Sequence, residues 1–403
     1  MKTAVALLLV GASLQADIPM TLVSEDEAEP MHSAIVRKEA WTQDPVRRLR
    51  GEADKRMKEG PWSVTSERPK GIELDVHDYY SEAPYYWPNP DNPGGPFILK
   101  DGQINAARFT ANRTALTAMC DAVFTLGSAA FLLDNPLYGK RAASVIHAWF
   151  INPKTRMNPG LDYAQAIPGW NNGRGTSILE GRALIRAIQG MEFLAQTSAW
   201  DAKDQTAVRA WFEDYLRWLT QSKLAIDEKK SGNSHTSWWA AQVAAAASFV
   251  EDGKLQQTAF NYYRDRIFPH QIRPNGSAPR EEVRARSLAL SASNLEAFTT
   301  VCRIAQVRGA PDLWNAHSKN GATISTVIDY LAPALQDPKK WNKEQAVEVP
   351  NDSLSILAFA GMGLKNPDYI ALFRKLERPD SAWLSLVDLM VGRFEAAAHQ
   401  TRH

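Results

Sequence analysis

Gly232-Asn233-Ser234-His235-Thr236-Ser237-Trp238-Trp239 opens an Ala-rich apolar run that ends near Val250. Trp238, Trp239, Val243, Ala247 and Val250 recur at steps of one helical turn, which predicts a helix with an apolar face. Asn233 and Ser234 are the small polar types that start helices. His235 therefore falls on the first turn, facing whatever the end of that helix faces. An imidazole can act as a base near neutral pH, and small neighbours leave room for a substrate. The plainer reading, a capped helix start with a packed histidine, has equal weight on this stretch alone.

Similar periodicity recurs along the rest of the chain. Three- and four-residue apolar steps predict helices over Ala107–Leu133, Lys140–Ile151, Ser177–Gln196, Asp204–Leu224, His235–Val250, Leu255–Ile267 and Ser287–Val307. Weaker patterns cover Ile324–Leu335, Ser353–Gly361 and Leu384–Ala397. Gly, Pro and Asn separate them, and strand-like alternation is scarce. The expected class is all-α. No short motif recurs at solenoid periods, which favours a closed toroid of helical hairpins over an open stack. Residues 71–105, rich in Pro, Gly, Asn and Tyr, cannot form a long helix and read as a functional loop at one end of the barrel. Residues 17–70 are polar and charged and read as a loosely packed leader with one or two surface helices. No linker divides the body after residue 71, so 71–403 is expected to be one domain.

Composition narrows the function. The 46 basic and 45 acidic residues leave a net charge of +1, which argues against nucleic-acid binding by broad electrostatics. With 44% hydrophobic residues the chain can bury a sizeable core, and its 13 Trp suit either that core or sugar stacking. Met1-Lys2 and the apolar run Ala4–Leu14 read as a secretory signal peptide cleaved after Ala16, over residues 1–16. No later run reads as a membrane span. Cys120 and Cys302 lie in apolar helical stretches, open to pairing or to two buried thiols. Asn112-Arg113-Thr114, Asn275-Gly276-Ser277 and Asn351-Asp352-Ser353 fit the glycosylation pattern.

Four polar-aromatic segments stand out in this apolar chain. They are Asp78-Tyr79-Tyr80-Ser81-Glu82-Ala83-Pro84-Tyr85-Tyr86-Trp87-Pro88-Asn89-Pro90, the segment from Met157-Asn158-Pro159 to Gly173-Arg174-Gly175, the His235 segment, and Asn275 to Asn294 with Arg280, Arg284 and Arg286. Each has a structural reading: a loop over a barrel rim, a plain turn, or arginines paired with Glu281 and Glu282.

Taken in order over about residues 70–310, these segments resemble the alginate lyase domain family of polysaccharide lyases. Its pattern runs Asp-Tyr-x-Ser-x-Ala-Pro-Tyr-x-Trp-Pro, then Met-Asn-Pro…Gln-Ala-Ile-Pro-Gly…Gly-Arg-Gly, an Asn-Asn-His core and an Arg-rich helix start. The resemblance implies an incomplete α/α toroid that cleaves uronate-containing polysaccharides by β-elimination, with an anionic polysaccharide as partner and no required metal or cofactor. It implies His235 as the family histidine, Asn233 as the outer Asn of the motif, and Arg284 as the catalytic arginine, with Arg280 and Arg286 as neighbours able to substitute. Tyr79, Tyr80, Tyr85, Tyr86, Trp87, Gln165, Arg174 and Trp238 would meet substrate. The sequence departs from the pattern twice. Ser234 stands where the neutralising Asn is usual, and Leu290 or Ser291 where the catalytic Tyr is expected. A phenol from the 79–86 loop would then have to replace it, or His235 act as sole base. Two other readings compete: a glycan-binding relative without turnover, and a glycoside hydrolase drawing a carboxylate pair from Asp78, Asp162, Glu180, Glu281 and Glu282.

Overall fold

A computed structural model describes residues 20–318, 321–345, 348–377 and 379–400. The proposed signal peptide lies outside the described residues. Helix accounts for 61% of the structure and strand for 4%, and the helices form an α/α toroid.

The inner wall is built from helices whose surfaces are buried almost all round. In Ser234–Phe249 every residue except His235 is buried. It packs between Leu184–Ala195, Ala202–Gln221, Gly253–Tyr262 and Ser287–Val307. A helix apolar on all sides must lie inside the molecule. Ala111–Leu132 is of the same kind and packs most extensively on Leu184–Ala195. Their crossing is set by glycine: a Cβ on Gly127 would lie 2.1 Å from the Gly190 carbonyl oxygen. By length and composition alone this 22-residue helix could cross a membrane, contrary to the sequence expectation. Yet 78% of its most apolar window is buried against its neighbours, as in a core helix.

The first and last described helices pack together. Ala382–Gln400 packs on Gln43–Arg56 and on Glu25–Val36, and Gln43–Arg56 also packs on Ala111–Leu132. The leader is thus less loose than its polar composition suggests. Ala28, Met31, Leu49 and Ala53 bury their few apolar positions in the common core. Ahead of them, Gln189 Oε1 accepts the backbone N–H groups of Leu22 (2.7 Å) and Val23 (3.0 Å). Arg303 Nε donates to the Leu22 carbonyl at 2.8 Å. Arg48 reaches across to the buried Asp388, which Arg374 also meets at 2.9 Å.

Among the described residues, two short sheets interrupt the helices, and each includes a strand from the first motif segment. Tyr80–Glu82 runs parallel to Tyr163–Ala166, tying the first segment to the second. Tyr86–Trp87 pairs antiparallel with Ile98–Leu99, Tyr86 opposite Leu99, so the 84–105 loop is a hairpin. The expected helix over 177–196 is divided into Ile178–Gly181 and Leu184–Ala195, with Gly181 pressed against the Tyr215 hydroxyl. Both cysteines are buried free thiols.

Candidate active site

The start of Ser234–Phe249 is assembled from three directions. Gly232 takes a left-handed conformation (φ +71°), and a Cβ there would meet Arg280 Nη1 at 2.6 Å. Asn233 then caps the helix: its Oδ1 accepts from the His235 N–H (3.1 Å) and the Ser231 hydroxyl (2.8 Å). Because the carbonyl oxygen is committed to the cap, the Asn233 amide nitrogen is the end left to donate. Glu281 Oε1 accepts from the Ser234 N–H at 2.7 Å, so a carboxylate meets an otherwise unpaired helix-end donor. Burial raises the Glu281 carboxyl above its usual range, against the opposing pull of its Ser234 contacts and the Arg284 charge.

His235 is fixed by a second carboxylate. Its Nδ1 lies 2.8 Å from Glu228 Oε2, with both side chains about 15% exposed (16% and 14%). Nε2 has no protein partner among the described residues. Glu228, on Lys223–Lys229, lies seven residues upstream, and the turn through Gly232 folds it back onto the imidazole. Sequence reading missed it, because a glutamate near the end of a short charged helix looks like solvated surface.

The arginines arrive on the segment between Pro279–Glu282 and Ser287–Val307. Arg284 forms a forked pair with Asp101, Nη2–Oδ1 2.7 Å and Nε–Oδ2 3.1 Å. Hydrogen bonding to Arg284 holds the Asp101 carboxyl below its usual range. Arg286 Nη1 donates to the Tyr85 hydroxyl at 2.8 Å. Tyr85 and Asp101 sit on the two arms of the hairpin, joined by the Lys100 N–H donating to the Tyr85 carbonyl at 2.8 Å. The hairpin therefore brings a phenol and a carboxylate to the arginines in one step. Asp101 was absent from the sequence expectations; nothing local to Lys100-Asp101-Gly102 announces a partner 183 residues away.

The Gly-Arg-Gly segment supplies another cation. Arg174 lies over the Tyr86 ring at 5.3 Å and donates to the Gln165 carbonyl (3.1 Å) and side-chain Oε1 (3.0 Å). Gln165 is a buried non-glycine residue at φ +54°, a conformation retained where surrounding contacts over-determine it. Its amide is thus spent on orienting Arg174. Trp87, half-buried, lies under the Lys100 ammonium at 5.2 Å.

Several expected contacts fall elsewhere. Tyr79 is 1% exposed and donates to Glu180 at 2.6 Å; burial, then Glu180, pushes its phenol far up. Tyr80 is equally buried and points to Glu82. Trp238 is 4% exposed, its indole N–H on Ser293 and Arg182 over its ring. These three rings are core, because the strand pair and the inner helix turn them inward, and they offer no face to a sugar. Arg280 donates to the Ser231 carbonyl and braces the loop before the cap. At Leu290 and Ser291 no phenol is present, and Ser291 is buried.

The carboxylates considered for hydrolysis are all engaged. Asp78 accepts from Asn158, Asp162 from Trp218, and Glu180 from Tyr79 and Ser81. Glu281 holds the Ser234 N–H, and Glu282 pairs with Lys343 at 2.9 Å. Asn112 is buried, with Tyr80 N–H and the Val64 carbonyl as partners, which leaves no room for a glycan.

Fold and site together define a helical toroid with a histidine, arginines and a phenol gathered where its loops meet an inner helix end. A family model for alginate lyases matches residues 63–341, and the chain belongs to that family. Among solved structures, an alginate lyase from Bacteroides ovatus is 28% identical, with a TM-score of 0.84 over 92% of this chain and 98% of that one. A complex of a histidine-to-alanine variant of alginate lyase A1-III with a tetrasaccharide has a TM-score of 0.61 at 14% identity, over 92% of this chain and 95% of that one. Alginate lyase A1-III from Sphingomonas species A1 has a TM-score of 0.57 at 15% identity, over 89% and 92%. These last two are similar in fold. No curated protein matches the chain in sequence.

Proposed function

We propose that the chain is an exported polysaccharide lyase that cleaves a uronate-containing glycan of the alginate or glucuronan type by β-elimination. The observation that carries this reading is the imidazole of His235. It is the one residue of its helix that is not fully buried, its Nδ1 is tied to a carboxylate, its Nε2 has no partner among the described residues, and Glu281, which holds the start of its helix, feels both it and Arg284. The run Ala4–Leu14 supports export.

The chemistry follows from the substrate. The proton on carbon 5 of a uronate is next to a carboxylate, and its removal is opposed until that negative charge is neutralised. The amide nitrogen of Asn233 and the guanidinium of Arg284 are donors suited to this, and such bonds strengthen as charge builds in the transition state. His235 Nε2 takes the proton. The electron pair forms the carbon 4–carbon 5 double bond as the bond from carbon 4 to the glycosidic oxygen breaks. Tyr85 takes the role of the phenol missing at Leu290 and protonates the departing oxygen. Arg174, Tyr86 and Trp87 lie on the same loops and suit the anionic sugars on either side.

A second reading has its own support. With the Arg284 fork filled by Asp101 and no phenol at Leu290, the site also suits a glycan-binding protein without turnover. One assay separates the readings. Incubation with alginate, glucuronan and neutral polymers is expected to give a new ultraviolet absorbance from the unsaturated uronate with an anionic polymer alone. Reducing ends without that absorbance would indicate hydrolysis, and binding without either product would leave the second reading.

A further inference from the structure

We propose that Glu228 is the positioning residue for His235: it holds the imidazole as the Nδ1–H tautomer and leaves the Nε2 lone pair free to accept a proton. The role assigned to that lone pair rests on the lyase reading above; the tautomer itself does not.

The argument is geometric. The Nδ1–Oε2 distance is 2.8 Å between two side chains that are both mostly shielded from water. A carboxylate accepts and does not donate, so Nδ1 must carry the proton. The other nitrogen is then the acceptor in the neutral ring, as a base requires. Free histidine favours the opposite tautomer, so without Glu228 the reactive lone pair would sit on the wrong nitrogen much of the time.

Glu228 is itself confined. A Cβ on Gly175 would lie 2.5 Å from Glu228 Cγ and 2.7 Å from the Leu224 carbonyl. The second glycine of Gly173-Arg174-Gly175 therefore admits the Lys223–Lys229 helix close enough for its carboxylate to reach the histidine. Arg174, on the same segment, feels the Glu228 charge, and Glu281 holds the N–H of the neighbouring Ser234. The Gly-Arg-Gly segment thus has a second task besides presenting a cation: it seats the partner of the base. Fixing a tautomer through the remote ring nitrogen costs nothing at the moment of reaction, and its loss is felt in turnover more than in binding.

The test uses the full chain with nitrogen-15-labelled histidine. The His235 signals are identified by their loss in His235→Ala, and the tautomer is read from long-range proton–nitrogen correlations at about pH 8, above the ordinary histidine range. Wild type is expected to show Nδ1–H, and Glu228→Ala to shift toward Nε2–H. On whichever anionic polymer proves to be cleaved, Glu228→Ala should lose on the order of 10²-fold in kcat with KM within about twofold. Glu228→Gln, which keeps the shape and an acceptor oxygen, should lose about tenfold and melt near the wild-type temperature; it carries the kinetic test if the alanine variant does not fold. An Nε2–H wild type, or an Nδ1–H ring persisting in Glu228→Ala, overturns the proposal, as does unchanged kcat in Glu228→Gln. If no polymer is cleaved at all, the lyase reading fails while the tautomer spectrum still decides the role of Glu228.

Discussion

The Asp101 carboxylate occupies the Nε–Nη2 edge of the Arg284 guanidinium, at 3.1 and 2.7 Å. The cation expected to neutralise a uronate thus already holds a carboxylate of the protein, supplied by the hairpin that also carries Tyr85. Substrate and Asp101 compete for one fork. The pair is about one-third exposed (37% and 36%), so it contributes on the order of 0.2–1 kcal/mol. Asp101→Asn should lower the KM for anionic oligosaccharides roughly two- to fivefold, most clearly at low salt. Weaker binding in that variant would make Asp101 a ligand of the sugar instead.

Arg284→Ala removes the fork itself. Charge neutralisation is needed most as the proton leaves, so kcat should fall by about 10²–10³-fold with a smaller change in KM. Arg284→Lys should recover little, since an ammonium cannot donate in parallel to both carboxylate oxygens. Steady-state kinetics on the cleaved polymer checks both variants. Loss of binding with kcat intact would reduce Arg284 to a clamp.

His235→Ala should abolish elimination and leave the melting temperature close to wild type. The imidazole lies at the helix end, outside the packed surface of Ser234–Phe249. Retained turnover would remove His235 from the mechanism.

Two tyrosines on one loop make a paired test. Tyr85→Phe deletes the hydroxyl that Arg286 holds at 2.8 Å and should cost about 10²–10⁴-fold in kcat. Tyr80→Phe deletes a hydroxyl buried against Glu82 and should leave kcat unchanged. Equal effects of the two would point to loop packing as the cause.

Glu192 gives the fold a pH dependence of its own. It is fully buried, accepts the Thr21 N–H at 2.8 Å, and burial raises its carboxyl to about 8. Below the unfolded value of 4.5 both states are protonated. Between there and about 8 only the folded state keeps the proton, so stability falls as pH rises through that window. Glu192→Gln should remove this contribution. Its melting temperature, compared with wild type from pH 5 to pH 9, should gain relative to wild type as pH rises. A constant difference would show that Glu192 does not titrate in that range.

Much of the fold was legible because helical periodicity is a local signal. The observed helices 111–132 and 287–307 lie within the expected spans, and 234–249 is offset by one residue from the expected 235–250; their number, without a repeat motif, pointed to a toroid. What was hidden depended on partners far along the chain. The leader helices looked like surface because Ala28, Met31, Leu49 and Ala53 are few among charges, yet the C-terminal helix covers them. The aromatic loop was recognisable as a site, but its composition gave no sign of which rings turn inward.

The order of residues alone determined the helices, the cap at Asn233, the place of His235 on a first turn, and the absence of a phenol at Leu290. All of these are properties of neighbours within a turn or two. Tertiary structure alone decided that Glu228 meets the imidazole, that Asp101 fills Arg284, and that Tyr85 rather than Tyr79 or Tyr80 stands beside the arginines. Those are contacts between side chains brought together by packing. Their energies depend on distances of a few ångströms that no spacing along the chain encodes.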